Sequence, residues 1–403
     1  MSKLNVAVIY GSRSCEHEVS IISALQLMEA IDREEYNVIP LYISKEGLWY
    51  TGDPLLRIET FQDFNPMKTG ITRINLDITT GSGDIWEWPP RRNGLFSGIQ
   101  RPLAHIDCVI PVLHGLHGED GTIQGLLELM NIPYTSTGVL GSSLGMDKIA
   151  VKLLLRGAGF PVLDFVWFTR EQWENEKQKW IDLVEEQLKY PVFVKPSSLG
   201  SSIGISKATD RVSFEKAVSI AASYDSRLLV ETAVVHPTEI NCSAVGVGET
   251  VRASVCEMPI PSADDHFLTF FEKYLRNAGA KNGTNRGMKN LSRVLPAPIG
   301  EALTERIEQM TVDVFHLLNC KGTVRIDYII DENDILYVNE PNTIPGSMAF
   351  YLWKASGLSF SNLIDEMIKD AFVAYAEKNK SVFAYDSSIL NRVISGAKGS
   401  KMK

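Results

Sequence analysis

The sequence is poor in the residues that cross-link or metallate small scaffolds. Its five cysteines, Cys15, Cys108, Cys242, Cys256 and Cys320, are odd in number and show no Cys-x-x-Cys spacing. That argues against a disulfide framework or a zinc cluster and for reduced, mostly buried thiols. No uninterrupted apolar run of ~18 residues occurs, so no membrane span is expected. The opening Met1-Ser2-Lys3-Leu4 leads straight into Asn5–Tyr10, which reads as a strand. It is too short for a signal segment with its cleavage site, so a cytoplasmic location is expected. A formal net charge of −9 argues against a broad nucleic-acid surface. It leaves room for a locally basic pocket and an anionic ligand. No internal repeat is visible.

What is present is an ordinary globular chain: 403 residues, 44% hydrophobic. That length exceeds what one core usually serves, so two or three domains are expected. Val6–Tyr10, Val38–Ile43 and Val109–Leu113 read as strands, with apolar residues at helical spacing from Glu18 to Ile31. Strand, helix, strand with short connections implies a parallel sheet. Residues 52–104 break the rhythm and read as an insertion with irregular strands. Helices are expected at Ile123–Met130, Met146–Gly157, residues 170–188, Ile299–Leu318 and Ser359–Glu377. Further strands are expected at Pro191–Lys195, Leu228–Glu231, Glu239–Val247 and Val251–Glu257, with a hairpin of Thr323–Ile330 and Ile335–Glu340. The long stretch 261–297, with three glycines, reads as a functional lid. Expected units are 1–140, 141–235, 236–390 and a tail at 391–403.

Four stretches carry chemistry. Lys195-Pro-Ser-Ser-Leu-Gly200-Ser201-Ser202-Ile-Gly204 lies between strands; glycine-exposed N–H groups and serine hydroxyls suit phosphate, though a flexible turn is the bland alternative. Arg325-Ile-Asp327 puts two charged groups on one face of a strand, and Glu340 and Asn342 share a face of the next. Asp327, Glu340 and Asn342 are hard oxygen donors of the kind that hold Mg²⁺ against nucleotide phosphates; surface acids on a hairpin are the alternative. His114-Gly-Leu-His117-Gly-Glu119-Asp120-Gly121 follows a parallel strand, where ligand crevices form. Glu119 there suits an amino group, and His114 a carboxylate or a proton; an incidental turn is the alternative. Gly11-Ser12-Arg13-Ser14-Cys15-Glu16-His17-Glu18 opens a helix, where dipole and free N–H groups favour anions; first-turn acids that satisfy the dipole are the alternative, stronger for Glu18 than for Glu16.

These pieces, in this order, resemble the D-alanine–D-alanine ligase family of ATP-grasp enzymes. The matching motifs are Ser14-Cys15-Glu16-His17-Glu18-Val19-Ser20, the run His114–Gly125, Gly145-Met-Asp-Lys148, Val194-Lys195-Pro196, Gly200–Gly204, Arg325-Ile-Asp327 and Asn339-Glu340-Pro-Asn342-Thr-Ile-Pro-Gly346. The resemblance runs from Val6 to about Gly346. It implies a mixed α/β and α+β multidomain chain: an ATP-grasp fold behind an N-terminal open parallel α/β domain. It also implies ATP, two Mg²⁺ ions (Mn²⁺ being admissible), small amino-acid substrates, a homodimer and a part in cell-wall peptidoglycan synthesis.

By position, the resemblance assigns Lys148, Lys195 and the Gly200–Gly204 turn (Gly200, Ser201, Ser202, Gly204) to ATP phosphates. It puts Glu231 beside adenine and Glu239 on the ribose. Asp327, Glu340 and Asn342 become metal ligands, while Arg325 and the Gly346 N–H stabilise an oxyanion. Glu16 grips the first substrate's ammonium, linked through Ser201 to lid residue Tyr274, and His114 sits near that substrate's carboxylate. The lid Thr269-Phe-Phe-Glu-Lys273-Tyr274 keeps the tyrosine of dipeptide-forming members, so an amine acceptor is expected. The chain departs from the family where Tyr351 replaces the serine that holds the acceptor's carboxylate, and where Ser12 replaces a second glycine. Either Ser347 or Tyr351 substitutes as donor, or the acceptor is another amino acid or biosynthetic intermediate; a non-catalytic ATP-binding relative is the remaining alternative.

Overall fold

The computed structural model describes residues 3–90, 101–260, 293–387 and 389–390. The first strand, β1 (Leu4–Gly11), alternates between two cores: Val6, Val8 and Tyr10 face one, Ala7 and Ile9 the other. Burial on both faces explains its unbroken apolar run. Helix α1 (His17–Ala30) covers the first face. β2 (Tyr36–Ile43) pairs with β1 in parallel. β3 (Trp49–Thr51), the turn α2 (Glu59–Gln62), β4 (Thr72–Leu76), β5 (Asp84–Glu87) and β6 (Ala104–His105) follow, and β7 (Cys108–Pro111) returns to pair parallel with β1. The sheet order is β6-β5-β4-β3-β2-β1-β7. The expected insertion at 52–104 therefore continues this sheet as antiparallel strands; its residues 91–100 lie outside the described set.

Three helices lead onward: α3 (Thr122–Met130), α4 (Val139–Met146) and α5 (Lys148–Gly157). The helix expected from Met146 starts at Lys148 because Asp147 caps it, accepting from the N–H groups of Ile149 (3.0 Å) and Ala150 (2.8 Å). A four-stranded antiparallel sheet follows, built from β8 (Phe165–Thr169), β9 (Val192–Pro196), β10 (Ser206–Ala208) and β11 (Arg227–Thr232) in the order β10-β9-β11-β8. Helices α6 (Arg170–Gln187) and α7 (Arg211–Tyr224) pack on it through Trp173, Ile181, Phe214 and Val218.

The last sheet contains β12 (Thr238–Gly246) and β13 (Arg252–Ala253). A two-stranded pair, β14 (Met258–Pro259) with β15 (Arg293–Val294), precedes α8 (Glu301–Leu317). β16 (Gly322–Ile330) and β17 (Leu336–Asn342) complete the order β13-β12-β16-β17. The strand expected over Val251–Glu257 reduces to β13 and a single bridge between Asn241 and Glu257. Short α9 (Phe350–Ala355) and long α10 (Phe360–Lys378) follow β17. Trp353, Leu363, Ile364 and Met367 join the α1 side of the first core, so α9 and α10 share one apolar interior with β1 and α1. That interior holds the C-terminal site loops against the N-terminal ones. Among the described residues no helix is long and apolar enough to cross a membrane.

Candidate active site

Three loop regions converge where the sheets meet. β1 and β7 are parallel neighbours, so the loops after them share one edge of the sheet. The Ser14 hydroxyl ties these loops together, donating to the His114 carbonyl (2.7 Å) and accepting from the Glu16 N–H (3.1 Å). Ser12 adopts a left-handed φ of +85°, the conformation that explains the family's glycine. It is held by its N–H to the Ile43 carbonyl (2.8 Å) and by His17 Nδ1 to its own carbonyl (2.7 Å).

Glu16 is buried, and the Ser201 hydroxyl donates to its Oε1. A Cβ on Gly200 or on Gly115 would come within 2.7 Å of Glu16 Oε2. Both glycines therefore clear the space that the carboxylate fills. Ser201 and Ser202 take left-handed φ values of 52° and 60°, which turns successive N–H groups toward one side, as anion-binding nests do.

His114 is buried and fully engaged. The Ile344 carbonyl can only accept, so Nδ1 carries the proton (3.0 Å) and Nε2 accepts from the Ser23 hydroxyl (2.9 Å). Burial, together with the nearby Arg325 cation, lowers its pKa to about 4 against the pull of the Ile344 bond. The ring is thus neutral at pH 7. Ser347 N–H donates to the same Ser23 oxygen (3.1 Å), and the Ser347 hydroxyl to Gln26 (2.6 Å). Glu119 spans the same junction, accepting from the N–H groups of Gly115 (2.9 Å) and Ile344 (3.1 Å). Burial and the neighbouring Glu16 carboxylate raise its pKa, against those two N–H groups and Lys148.

On β16 and β17 the cross-strand partners are Arg325 with Asn342 and Asp327 with Glu340; an irregularity follows, so Tyr328 faces Val338. The four polar side chains therefore share one face. Arg325 donates to both oxygens of Asp327 (2.6 and 2.8 Å), and Asn342 Nδ2 to Asp327 Oδ2 (3.1 Å). Glu340 pairs with Lys148 (3.1 Å), whose Nζ also donates to the Leu199 carbonyl (2.7 Å). Burial opposes the Lys148 charge, but Glu340, Glu16 and Glu231 hold its pKa above the ordinary lysine value. Lys148, Lys195, Gly200, Ser202, Glu239, Asp327 and Glu340 line a cleft between the two antiparallel sheets. Its volume is only about 40 Å³. Small-molecule pockets commonly measure several hundred Å³, so the cleft in this conformation is narrower than a nucleotide.

Asp327 and Glu340, directly opposite each other, suit a hard divalent cation that takes its remaining ligands from phosphate and water, with Asn342 adding an amide oxygen after rotation. Among the described residues no group of three His, Cys, Asp or Glu is placed to hold a metal alone.

Of the residues singled out in the sequence, Glu16, His114, Lys148, Lys195, the Gly200–Gly204 turn, Arg325, Asp327, Glu340, Asn342 and Gly346 gather at this junction; Tyr274 lies outside the described residues. Glu231 is deeply buried, its carboxylate between Lys195 and Lys152 (3.0 Å). Sequence reasoning missed Lys152, although it stands one helical turn after Lys148. It also missed a clamp in which Asp147 receives Arg227 and the Ser197 hydroxyl (2.8 Å), fixing the start of α5 to the segment after β9 and to β11. Neither donor offered in place of the family's serine is idle. The Tyr351 hydroxyl donates to Glu257 (2.7 Å), which also receives Asn241 and Arg293, and Ser347 is committed to Gln26.

Two antiparallel sheets that face each other across lysines, a glycine-serine turn and a pair of acids, behind a parallel α/β domain, define an ATP-grasp enzyme. The comparisons narrow the class. The family model for the D-ala D-ala ligase N-terminus matches residues 5–137, and that for the D-ala D-ala ligase C-terminus matches residues 154–369. The chain is 38% identical to a D-alanine–D-alanine ligase of Thermosipho melanesiensis, over 96% of this chain and 98% of that one. It is 37% identical to one of Natranaerobius thermophilus, over 96% and 100%. Among solved structures it superposes on the D-alanine-D-alanine ligase from Coxiella burnetii with a TM-score of 0.75 at 29% identity, covering 99% of this chain and 100% of that one. The VanG D-Ala:D-Ser ligase from Enterococcus faecalis gives 0.74 at 28%, covering 92% and 100%. The chain belongs to the D-alanine–D-alanine ligase family.

Proposed function

We propose that this protein joins two D-alanine molecules at the expense of ATP, giving D-alanyl-D-alanine, ADP and phosphate for peptidoglycan synthesis. The observation that carries the reading is the meeting of Glu16, Ser201 and Gly200 at one end of the site with Arg325, Asp327 and Glu340 at the other. One end suits an ammonium group; the other, once its acids held magnesium, would suit a triphosphate.

Glu16, buried and fixed by Ser201, would orient the first D-alanine by its ammonium. Lys148 and Lys195 supply positive charge beside the phosphates, which is where most catalysis of phosphoryl transfer lies. When bound, magnesium ions held by Asp327, Glu340 and Asn342 would neutralise phosphate oxygens. The substrate carboxylate takes the terminal phosphoryl group and becomes an acyl phosphate. The second amine then attacks that carbonyl. Arg325 and the Gly346 N–H would offset the developing oxyanion, an effect worth ~3–4 kcal/mol for one lost donor. Family membership supports a cytoplasmic enzyme acting as a homodimer. D-alanine remains the favoured acceptor despite Tyr351, because the curated relatives that align over nearly the whole chain carry that name.

D-alanine labelled with ¹⁸O in its carboxylate tests the chemistry. The acyl-phosphate route delivers one labelled oxygen to phosphate per dipeptide formed. Unlabelled phosphate, or ADP release without dipeptide, would overturn it.

A further inference from the structure

The Lys152–Glu231–Lys195 cluster has one cation more than it needs. The side chains of Lys152, Glu231 and Lys195 are 1%, 2% and 5% exposed. Lys195 Nζ donates to Glu231 Oε1, which alone would make a closed ion pair. Lys152 Nζ lies 3.0 Å from Oε2, yet among the described residues neither atom makes a hydrogen bond of sound geometry. Burying a second ammonium costs several kcal/mol, and its 3.0 Å contact with a carboxylate already paired to Lys195 is what offsets it here. Lys195 alone would already close the pair, so the second cation calls for a further reason.

The geometry of the cleft supplies one. Lys195 lines the cleft, while Lys152 sits behind it on α5, one turn after Lys148. A phosphate oxygen that engages Lys195 draws it off Glu231. With no other partner, the carboxylate would then be left buried and unpaired, a penalty of several kcal/mol set against nucleotide binding. We propose that Lys152 is a positioning residue for ATP: it keeps Glu231 paired so that Lys195 is free to turn to the phosphates. Lys152 need not touch the nucleotide. Burial disfavours its charge and Glu231 sustains it, while the two ammonium groups outweigh burial and hold Glu231 down to about 2. The cluster thus keeps a net positive charge for an incoming anion.

The inference rests on the ATP-dependent function proposed above. In Lys152→Met the KM for ATP should rise by about tenfold or more, while the KM for the first D-alanine stays within about twofold. Lys152→Arg should retain most ATP affinity. The decisive comparison uses Glu231→Gln. Once the carboxylate is gone, Lys195 needs no release, so adding Lys152→Met to Glu231→Gln should change the KM for ATP by less than about twofold. A folded Lys152→Met enzyme with unchanged KM for ATP overturns the inference. So does a further tenfold loss in the double variant, which is what a structural role predicts and which is readable even if Lys152→Met alone fails to fold. An active wild type with either result leaves the function standing; a wild type without ATP-dependent dipeptide synthesis removes both.

Discussion

His114 Nδ1 lies 3.0 Å from the carbonyl oxygen of Ile344, so an N-terminal histidine fastens the loop that carries Gly346. The neutral ring is what lets Nε2 accept from the Ser23 hydroxyl at the same time, and burial lowers the pKa to about 4 from 6.5. A depressed histidine stabilises the fold fully above its unfolded pKa and loses that contribution as pH falls through the folded value. The window is therefore from pH 6.5 down to about 4, and the shift amounts to about 3 kcal/mol. Thermal midpoints across that range should fall less steeply in His114→Gln than in the wild type. Parallel curves would show that the ring does not titrate there.

Gly200→Ala places a Cβ 2.7 Å from Glu16 Oε2. The turn lies at the surface of the cleft, so the thermal midpoint should hardly change, while the KM for the first D-alanine rises about tenfold or more. Equal KM values for alanine and glycine at this position would remove Glu16 from the ammonium site.

Arg325→Lys keeps the charge but cannot give Asp327 two parallel bonds and still reach an oxyanion. Steady-state kinetics should show kcat down by about 10²–10³ with the KM for ATP little changed. A loss confined to KM would make Arg325 a binding group only.

Tyr351 tests the departure from the family. Its hydroxyl belongs to the buried set of Glu257, Asn241 and Arg293, and the Arg293 guanidinium lies 3.8 Å from the centre of its ring. Tyr351→Phe should cost about 1–2 kcal/mol in denaturant unfolding and leave D-alanine preferred over D-serine and D-lactate. A changed acceptor preference would assign the hydroxyl to the acceptor instead.

Much of this was legible in the residues because strands and helices announce themselves locally. β1 reads as apolar, α1 as periodic, and β16 with β17 as a hairpin around Asp331–Asp334. Helix α7 carried a usable sign, Asp210 and Ser213 in a capping box, which went unread. Helix α4 did not: Val139–Met146 holds two glycines and two serines, and packing rather than propensity makes it helical. In the site, residue types and spacing identified the ligand-facing groups, but not their silent partners. Glu119 bonds an amide far along the chain, and Lys152 on α5 meets Glu231 on β11. Such pairings exist only after folding.

The most direct test of the account is magnesium-dependent ADP release with D-alanine, read beside dipeptide mass, in the wild type and in Asp327→Asn. The wild type should form one D-alanyl-D-alanine per ADP and stop when the metal is chelated; the variant should keep its fold and lose at least about a hundredfold in kcat. Turnover untouched by Asp327→Asn or by chelation would contradict the site proposed on β16 and β17.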